Sequence, residues 1–77
     1  MMEKKITILR RDKEDVHIGM AMIVQMVMEE FFGERDLLLD KNEKGFTQLT
    51  FQIADDEDPK GFIEELARLN PLYVVKA

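Results

Sequence analysis

Residues 36–53, DLLLDKNEKGFTQLTFQI, decide the fold because they predict a β-hairpin at the centre of the chain. The second strand, residues 46–53, alternates strictly between apolar and polar side chains, which is typical of an antiparallel strand with one face buried. Its apolar members, which share one face, are Leu49, Phe51 and Ile53. The first strand is predicted over residues 36–41. The turn between them spans residues 42–45, where Gly45 can supply a positive φ.

A strand and a long helix are predicted before this hairpin. Residues 6–9 are rich in β-branched side chains, which favours a strand. Asp12 is the expected N-cap of the helix, and Gly33 is its expected left-handed end. One apolar stripe recurs at helical spacing along it and predicts the buried face: Val16, Met20, Ile23, Val24, Val27 and Phe31.

A second helix and a last strand are predicted after the hairpin. Asp58 is a suitable cap and Pro59 suits the first helical position. The helix is expected to end at Asn70 and Pro71, and residues 72–75 form a short strand. The predicted core face of this helix consists of Phe62, Ile63, Leu66 and Leu69.

The predicted order is therefore β-α-β-β-α-β within a single domain, residues 1–77. Right-handed crossovers over an antiparallel sheet make this an α+β, ferredoxin-like βαββαβ two-layer sandwich, with a four-stranded sheet and two helices on one face. The other face stays open. The side chains expected in the core from the first two strands are Ile6, Ile8, Leu37 and Leu39. Those expected on the open face are Leu9, Leu38 and Phe46.

Composition limits the classes of function. The formal net charge is −5 and the sequence pI is about 4.8, so nucleic acid is disfavoured as a partner. There is no cysteine, which fits a reducing compartment, and we expect a cytoplasmic location. The longest apolar stretch, residues 16–28, contains His17 and Gln25 and is too short to span a membrane.

The residues that catalysis needs are scarce. The chain has one histidine, no cysteine and no serine, so the common Ser–His and Cys–His pairs cannot form, and no partner for His17 is evident. The acidic run at residues 55–58 lacks the spacing of a calcium loop. We therefore predict a non-enzymatic protein with no catalytic residue, no cofactor and no metal site.

The segment DKEDV, residues 12–16, is similar to the turn between the first strand and helix of ACT-type regulatory domains. Residues 62–75 resemble the closing helix and strand of that family. The resemblance implies a non-catalytic module that forms dimers, with a small-molecule ligand at the subunit interface as a further expectation.

The segment KGFTQLTF, residues 44–51, is similar to a signature motif of RNA-recognition domains. Its position on the third strand agrees with that family, and Phe46 occupies a base-stacking position. Gln48 and Thr7 occupy the two other stacking positions, where the family has aromatic residues. A degenerate nucleic-acid-binding domain is therefore kept as an alternative.

The interpretation we favour is a small regulatory or protein-interaction module that forms a homodimer. It rests on surplus apolar side chains on the open sheet face and on the first helix, where four methionines cluster. The candidate interface residues are Leu9, Ile18, Met22, Leu38 and Phe46. A designed ferredoxin-like scaffold without natural function is a further alternative, since compact loops and good helix caps are typical of one.

Overall fold

The central hairpin is present and forms one side of a four-stranded sheet. The computed structural model describes residues 2–77, with elements β1 Glu3–Arg10, α1 Ile18–Phe32, β2 Leu38–Lys41, β3 Thr47–Ala54, α2 Lys60–Leu69 and β4 Tyr73–Lys76. The strand order is β2-β3-β1-β4, and each neighbouring pair is antiparallel. The predicted ferredoxin-like α+β fold is confirmed.

Strand β3 carries the core as its alternation predicts. Leu49, Phe51 and Ile53 are buried on the face that both helices cover. On β1, Ile6 and Ile8 are buried on the same face, since Ile6 pairs with Phe51 and Ile8 with Leu49. The two central strands therefore provide most of the sheet's contribution to the core.

Three phenylalanines join the sheet to both helices. Phe51 of β3 lies 5.8 Å from Phe32 of α1 and 5.3 Å from Phe62 of α2, measured between ring centroids. Phe32 and Phe62 are 5.6 Å apart, so each ring contacts the other two. Aromatic pairs at these separations stabilise the folded state by more than the burial of their apolar area alone.

The start of α1 is not where the sequence predicts it. Asp12 does not cap the helix, because Arg10 holds its carboxylate at 2.6 Å and Lys13 adopts a left-handed backbone with φ 61. The ion pair with Arg10 also lowers the pKa of Asp12. The N-cap is His17, whose Nδ1 accepts a hydrogen bond from the Met20 N–H at 3.3 Å.

The buried face of α1 differs in part from the predicted stripe. Met20, Val24 and Val27 are buried as predicted, whereas Ile23 and Phe31 are substantially exposed. The buried face also includes Met28, and Val16 is buried from the loop that precedes the helix. Gly33 ends the helix with a positive φ of 77, as expected, but its ψ of −171 lies outside the left-handed helical conformation that was predicted.

Leu39 was predicted to lie in the core, and this is wrong. It pairs with the buried Leu49 and shares its face, yet it is exposed. The reason is that β2 is the outermost strand and neither helix extends over it, whereas Leu37 still packs against the core. Strand β2 is also shorter than predicted, since it begins only at Leu38.

The second half of the chain follows the prediction in its elements, but two details of α2 are wrong. Leu69, predicted on the core face, is exposed in the last turn of the helix, and Pro59 is the N-cap, because the helix begins at Lys60. The Lys60 N–H donates to the Asp58 carboxylate at 3.0 Å, and Asn70 is the C-cap of α2. The hairpin turn has Gly45 at φ 86. In β4, Tyr73 is buried and its hydroxyl donates to the Met20 carbonyl at 3.1 Å, while burial raises the pKa of this phenol.

The aromatic cluster gives a direct test of the core. We expect Phe62→Ala to lower the free energy of unfolding by about 3–5 kcal/mol, because it removes the ring that contacts both Phe32 and Phe51. Urea denaturation followed by circular dichroism measures the change. Leu69→Ala in the same helix is the matched control, since Leu69 is substantially exposed, and it should cost about 1 kcal/mol or less. Equal losses for the two variants would contradict this description of the core.

Candidate functional site

The open face of the sheet is polar at its centre. Thr50 pairs with Leu38 on one side and with Thr7 on the other, so a row of side chains crosses the sheet there. Leu9 pairs with Val74 and lies closer to the opposite edge. The structure therefore does not join Leu9 and Leu38 into one apolar patch.

The five candidate interface residues fall on two separate surfaces. Leu9 and Phe46 are both half-buried and line a cavity at one end of the open face. Ile18, Met22 and Leu38 are highly exposed and belong to α1 and the outer strand.

The outer strand β2 is exposed along its whole length. Leu38 is 60% exposed and Leu39 is 69% exposed, and they project from opposite faces of the sheet. In the part of the chain that the structure describes, no strand pairs with the outer edge of β2. Asp40 and Lys41 charge the second half of this strand, whereas the Leu38–Leu39 half is apolar. Apolar edges are generally covered or charged in native proteins, so this half is a candidate for pairing with another chain.

A second apolar feature lies on α1, on the side opposite its buried face. Its members recur every fourth residue and so form one stripe: Ile18 at 80% exposure, Met22 at 63% and Met26 at 71%. Gln25 and Glu29 of the same helix line a cavity together with Leu38, which shows that α1 lies on the β2 side of the molecule. The helix that carries the stripe therefore lies on the same side of the molecule as the bare strand, although the stripe itself points away from the sheet.

These exposed side chains define what we call the β2 surface: Ile18, Met22, Met26, Leu38 and Leu39. Sequence reasoning identified three of them and missed Met26 and Leu39. The fourth-residue spacing from Ile18 through Met22 could have indicated Met26. Leu39 could have been found only by recognising that β2 is an edge strand without a helix above it.

The rest of the same sheet edge is closed by side chains. Strand β2 pairs with β3 only from Thr47 to Thr50, so the end of β3 has β1 on its inner side but no strand on its outer side among the described residues. There, Arg35 donates to the Gln52 carbonyl at 3.1 Å, and the Ala54 N–H donates to Glu57 at 2.7 Å. Arg35 and Glu57 also form an ion pair at 2.9 Å. This pair satisfies backbone groups that a neighbouring strand would otherwise bind.

Charge is distributed unevenly between the two ends of the sheet. A cavity of about 850 Å³ beside the start of β2 is lined by several acidic residues, namely Glu3, Glu29, Glu34, Asp36 and Glu57. A cavity of about 570 Å³ near the end of β2 is lined by five basic residues, namely Arg10, Lys13, Lys41, Lys44 and Lys76. The surroundings of β2 therefore change from acidic at the start of the strand to basic at its end.

The loop before α1, which carries the resemblance to ACT-type domains, is tied to strand β3. The Asp15 carboxylate accepts a hydrogen bond from the Thr47 N–H at 2.7 Å, and the Val16 N–H donates to the Thr47 carbonyl at 3.2 Å. The side chain of Asp15 thus has a structural role at the start of β3.

His17 has a local structural contact that accounts for its position. Its Nδ1 caps α1, so this nitrogen accepts a hydrogen bond from the Met20 N–H. Among residues 2–77 there is no group of three or more His, Cys, Asp and Glu side chains that could hold a metal ion. No described helix combines the length and apolar character needed to cross a bilayer.

Comparison with known proteins finds no match for this chain. No family model matches it, and neither a curated protein nor a solved structure does. The candidate site therefore rests on the geometry described above.

The closure of the β3 edge predicts a dependence on pH. The hydrogen bond from the Ala54 N–H, and secondarily Arg35, lower the pKa of Glu57 from its ordinary value of 4.5. Stability from this carboxylate is therefore present above pH 4.5 and lost as pH falls through the lower, folded-state pKa. We expect Glu57→Gln to have a lower Tm than the parent chain at neutral pH, with the two values converging in acid.

The matched control is Glu64→Gln, which changes an exposed carboxylate on α2. Thermal unfolding across a pH series compares the three proteins. A constant Tm difference between the parent and Glu57→Gln at every pH would contradict the proposed role of the ionised carboxylate.

Proposed function

We propose that this protein is a small non-enzymatic interaction module that forms a homodimer through the β2 surface. The observation that carries the proposal is the bare edge of β2, flanked by Leu38, Leu39 and the apolar stripe of α1. Pairing with a second copy would satisfy the free backbone groups and remove this apolar area from water. A regulatory role of the ACT type, in a reducing cytoplasm, belongs to the same proposal.

Two-fold symmetry restricts how two β2 strands can pair. Antiparallel pairing of identical edges needs an axis perpendicular to the sheet, which keeps the helices of both copies on the same side. Facing side chains must share a sheet face, so the axis has to pass through a residue and not between two residues. The candidate centres are therefore Leu38, Leu39 and Asp40.

Charge selects among these three registers. A centre on Asp40 would place this carboxylate opposite its own copy, and a centre on Leu38 would place Asp36 opposite Asp40. Like charges directly opposite each other destabilise a strand pair. A centre on Leu39 avoids both contacts and sets Leu39 against Leu39.

The same register also aligns opposite charges beyond the strands. It brings Glu34 of one copy level with Lys44 of the other, because the acidic end of one β2 lies beside the basic end of its mate. Complementary charge at the rim favours one orientation and increases the association rate.

The helices complete the proposed interface. With both copies on the same side of the joined sheet, the two α1 helices flank the β2–β2 pair. Met22 and Met26 lie on the side of α1 away from the sheet, so they can contact the second copy only at the outer margin of the interface, where flexible methionine side chains suit a contact between two identical surfaces.

Light scattering at micromolar concentration tests the proposal. The chain should have the mass of a dimer, and Leu39→Glu should shift it to the monomer, because the register places two added carboxylates against each other. Met22→Glu should weaken the dimer in the same direction.

The matched control is Ala67→Glu, which adds a carboxylate to an exposed position of α2. It should leave the dimer intact. A strictly monomeric parent chain, or a dimer that survives Leu39→Glu, would contradict the proposed interface.

A further inference from the structure

The basic cavity at one end of the open sheet face is separate from the β2 surface. Its volume is about 570 Å³, and it is formed by the ends of β1, β3 and β4 together with the turn at residues 42–45. This volume lies within the range that protein sites for small molecules occupy.

The cavity has an apolar part with a fixed shape. Leu9 and Phe46 line it and are both half-buried. The backbone of Phe46 is held at both its polar groups by Asn42, since the Phe46 N–H donates to Asn42 Oδ1 at 3.0 Å and the Asn42 N–H donates to the Phe46 carbonyl at 2.9 Å. The ring is therefore presented from a well-ordered turn.

Around this apolar part, positive charge dominates. The lining residues include five basic side chains and two acidic ones, Glu14 and Glu43, in a chain whose net charge is −5. Arg10 is already paired with Asp12. The four lysines form no salt bridge with any residue in the described range: Lys13, Lys41, Lys44 and Lys76.

The cavity also has neutral hydrogen-bonding groups, in addition to its apolar part and its basic residues. Thr7 and Gln48 line the cavity, and each can donate to an oxygen of a bound molecule. The cavity thus combines a small apolar surface with many polar and charged groups, and polar groups that converge on one cavity fix the orientation of a bound ligand.

We propose that this cavity binds a small amphipathic anion, in which an aromatic or other apolar ring carries a carboxylate or phosphate group. The ring packs on Phe46 and Leu9, and the anionic group lies among the lysines. Only a ligand with both parts uses the whole lining, and the local excess of positive charge selects it over neutral molecules. The site lies on the open face, so this inference does not depend on the homodimer.

Phenyl phosphate is the probe, titrated into ¹⁵N-labelled protein and followed by amide chemical shifts. Saturable shifts should appear at Thr7, Leu9, Phe46 and Gln48. Benzyl alcohol lacks the charge and inorganic phosphate lacks the ring. Each should therefore have a Kd at least about tenfold higher than that of phenyl phosphate. Benzoate in a parallel titration distinguishes a carboxylate from a phosphate ligand.

Two variants locate the site without relying on a core change. Lys13→Gln combined with Lys76→Gln should raise the Kd for phenyl phosphate by about threefold to tenfold. Phe46→Leu should weaken binding of the ring while leaving the fold intact. Lys60→Gln, on the exposed start of α2, is the matched control and should leave the Kd unchanged.

The test separates this inference from the homodimer. Repeated on Leu39→Glu, it should give the same Kd whether or not that variant dissociates. The inference is overturned if shifts are absent or lie outside the cavity, or if the neutral probe binds equally well. It is also overturned if a short oligothymidylate saturates these residues while phenyl phosphate and benzoate do not, since the surface would then bind nucleic acid.

Discussion

Burial of one face of β3 is the constraint on which the rest of this fold depends. Leu49, Phe51 and Ile53 lie on that face, and Phe51 contacts a phenylalanine from each helix. A shift of β3 by one residue would exchange these side chains for Gln48, Thr50 and Gln52 and leave the helices without a surface to pack on. The alternation along this strand therefore sets the registers with β1 and β2, and through them the order of the whole sheet.

Features that depend on local patterns were predictable from sequence. The alternation of β3, the positive φ at Gly45 and the stop of α2 at Asn70 each follow from residues within one turn or strand. The start of α1 was not predictable in this way, because Asp12 is a good cap in isolation. Its carboxylate instead binds Arg10 at the end of β1 and leaves the capping position to His17.

The candidate site was predictable only in part, for a related reason. Exposure of Ile18 and Met22 follows from the helical period, because these positions lie opposite the buried face. Exposure of Leu39 does not follow from periodicity, since this residue is on the same sheet face as the buried Leu49. Whether a helix extends over an edge strand is decided by the packing of α1 and α2 together, and no single segment contains that information.

The outer edge of the sheet has two parts, and they differ in how their backbone groups are bound. Where β2 is absent, Arg35 and Glu57 occupy the backbone groups of β3 and close the edge. Along β2 itself, Leu38 and Leu39 project on opposite faces, and the one backbone group that a side chain binds is the Lys41 N–H, which donates to Asp40 Oδ1 at 2.8 Å within the described residues. This contrast favours association at the Leu38–Leu39 end of β2, because the side chains that occupy backbone groups lie beside that end, at Arg35 and Glu57, or after it, at Asp40.

The most direct test of this account is an isotope-filtered NOE experiment on an equimolar mixture of ¹³C-labelled and unlabelled chains. Contacts between the two kinds of chain report only the interface between copies. The account predicts such contacts between the Leu39 methyl groups of the two copies. Interchain contacts confined to the open face, at Leu9 and Phe46, would contradict it, as would a complete absence of interchain contacts.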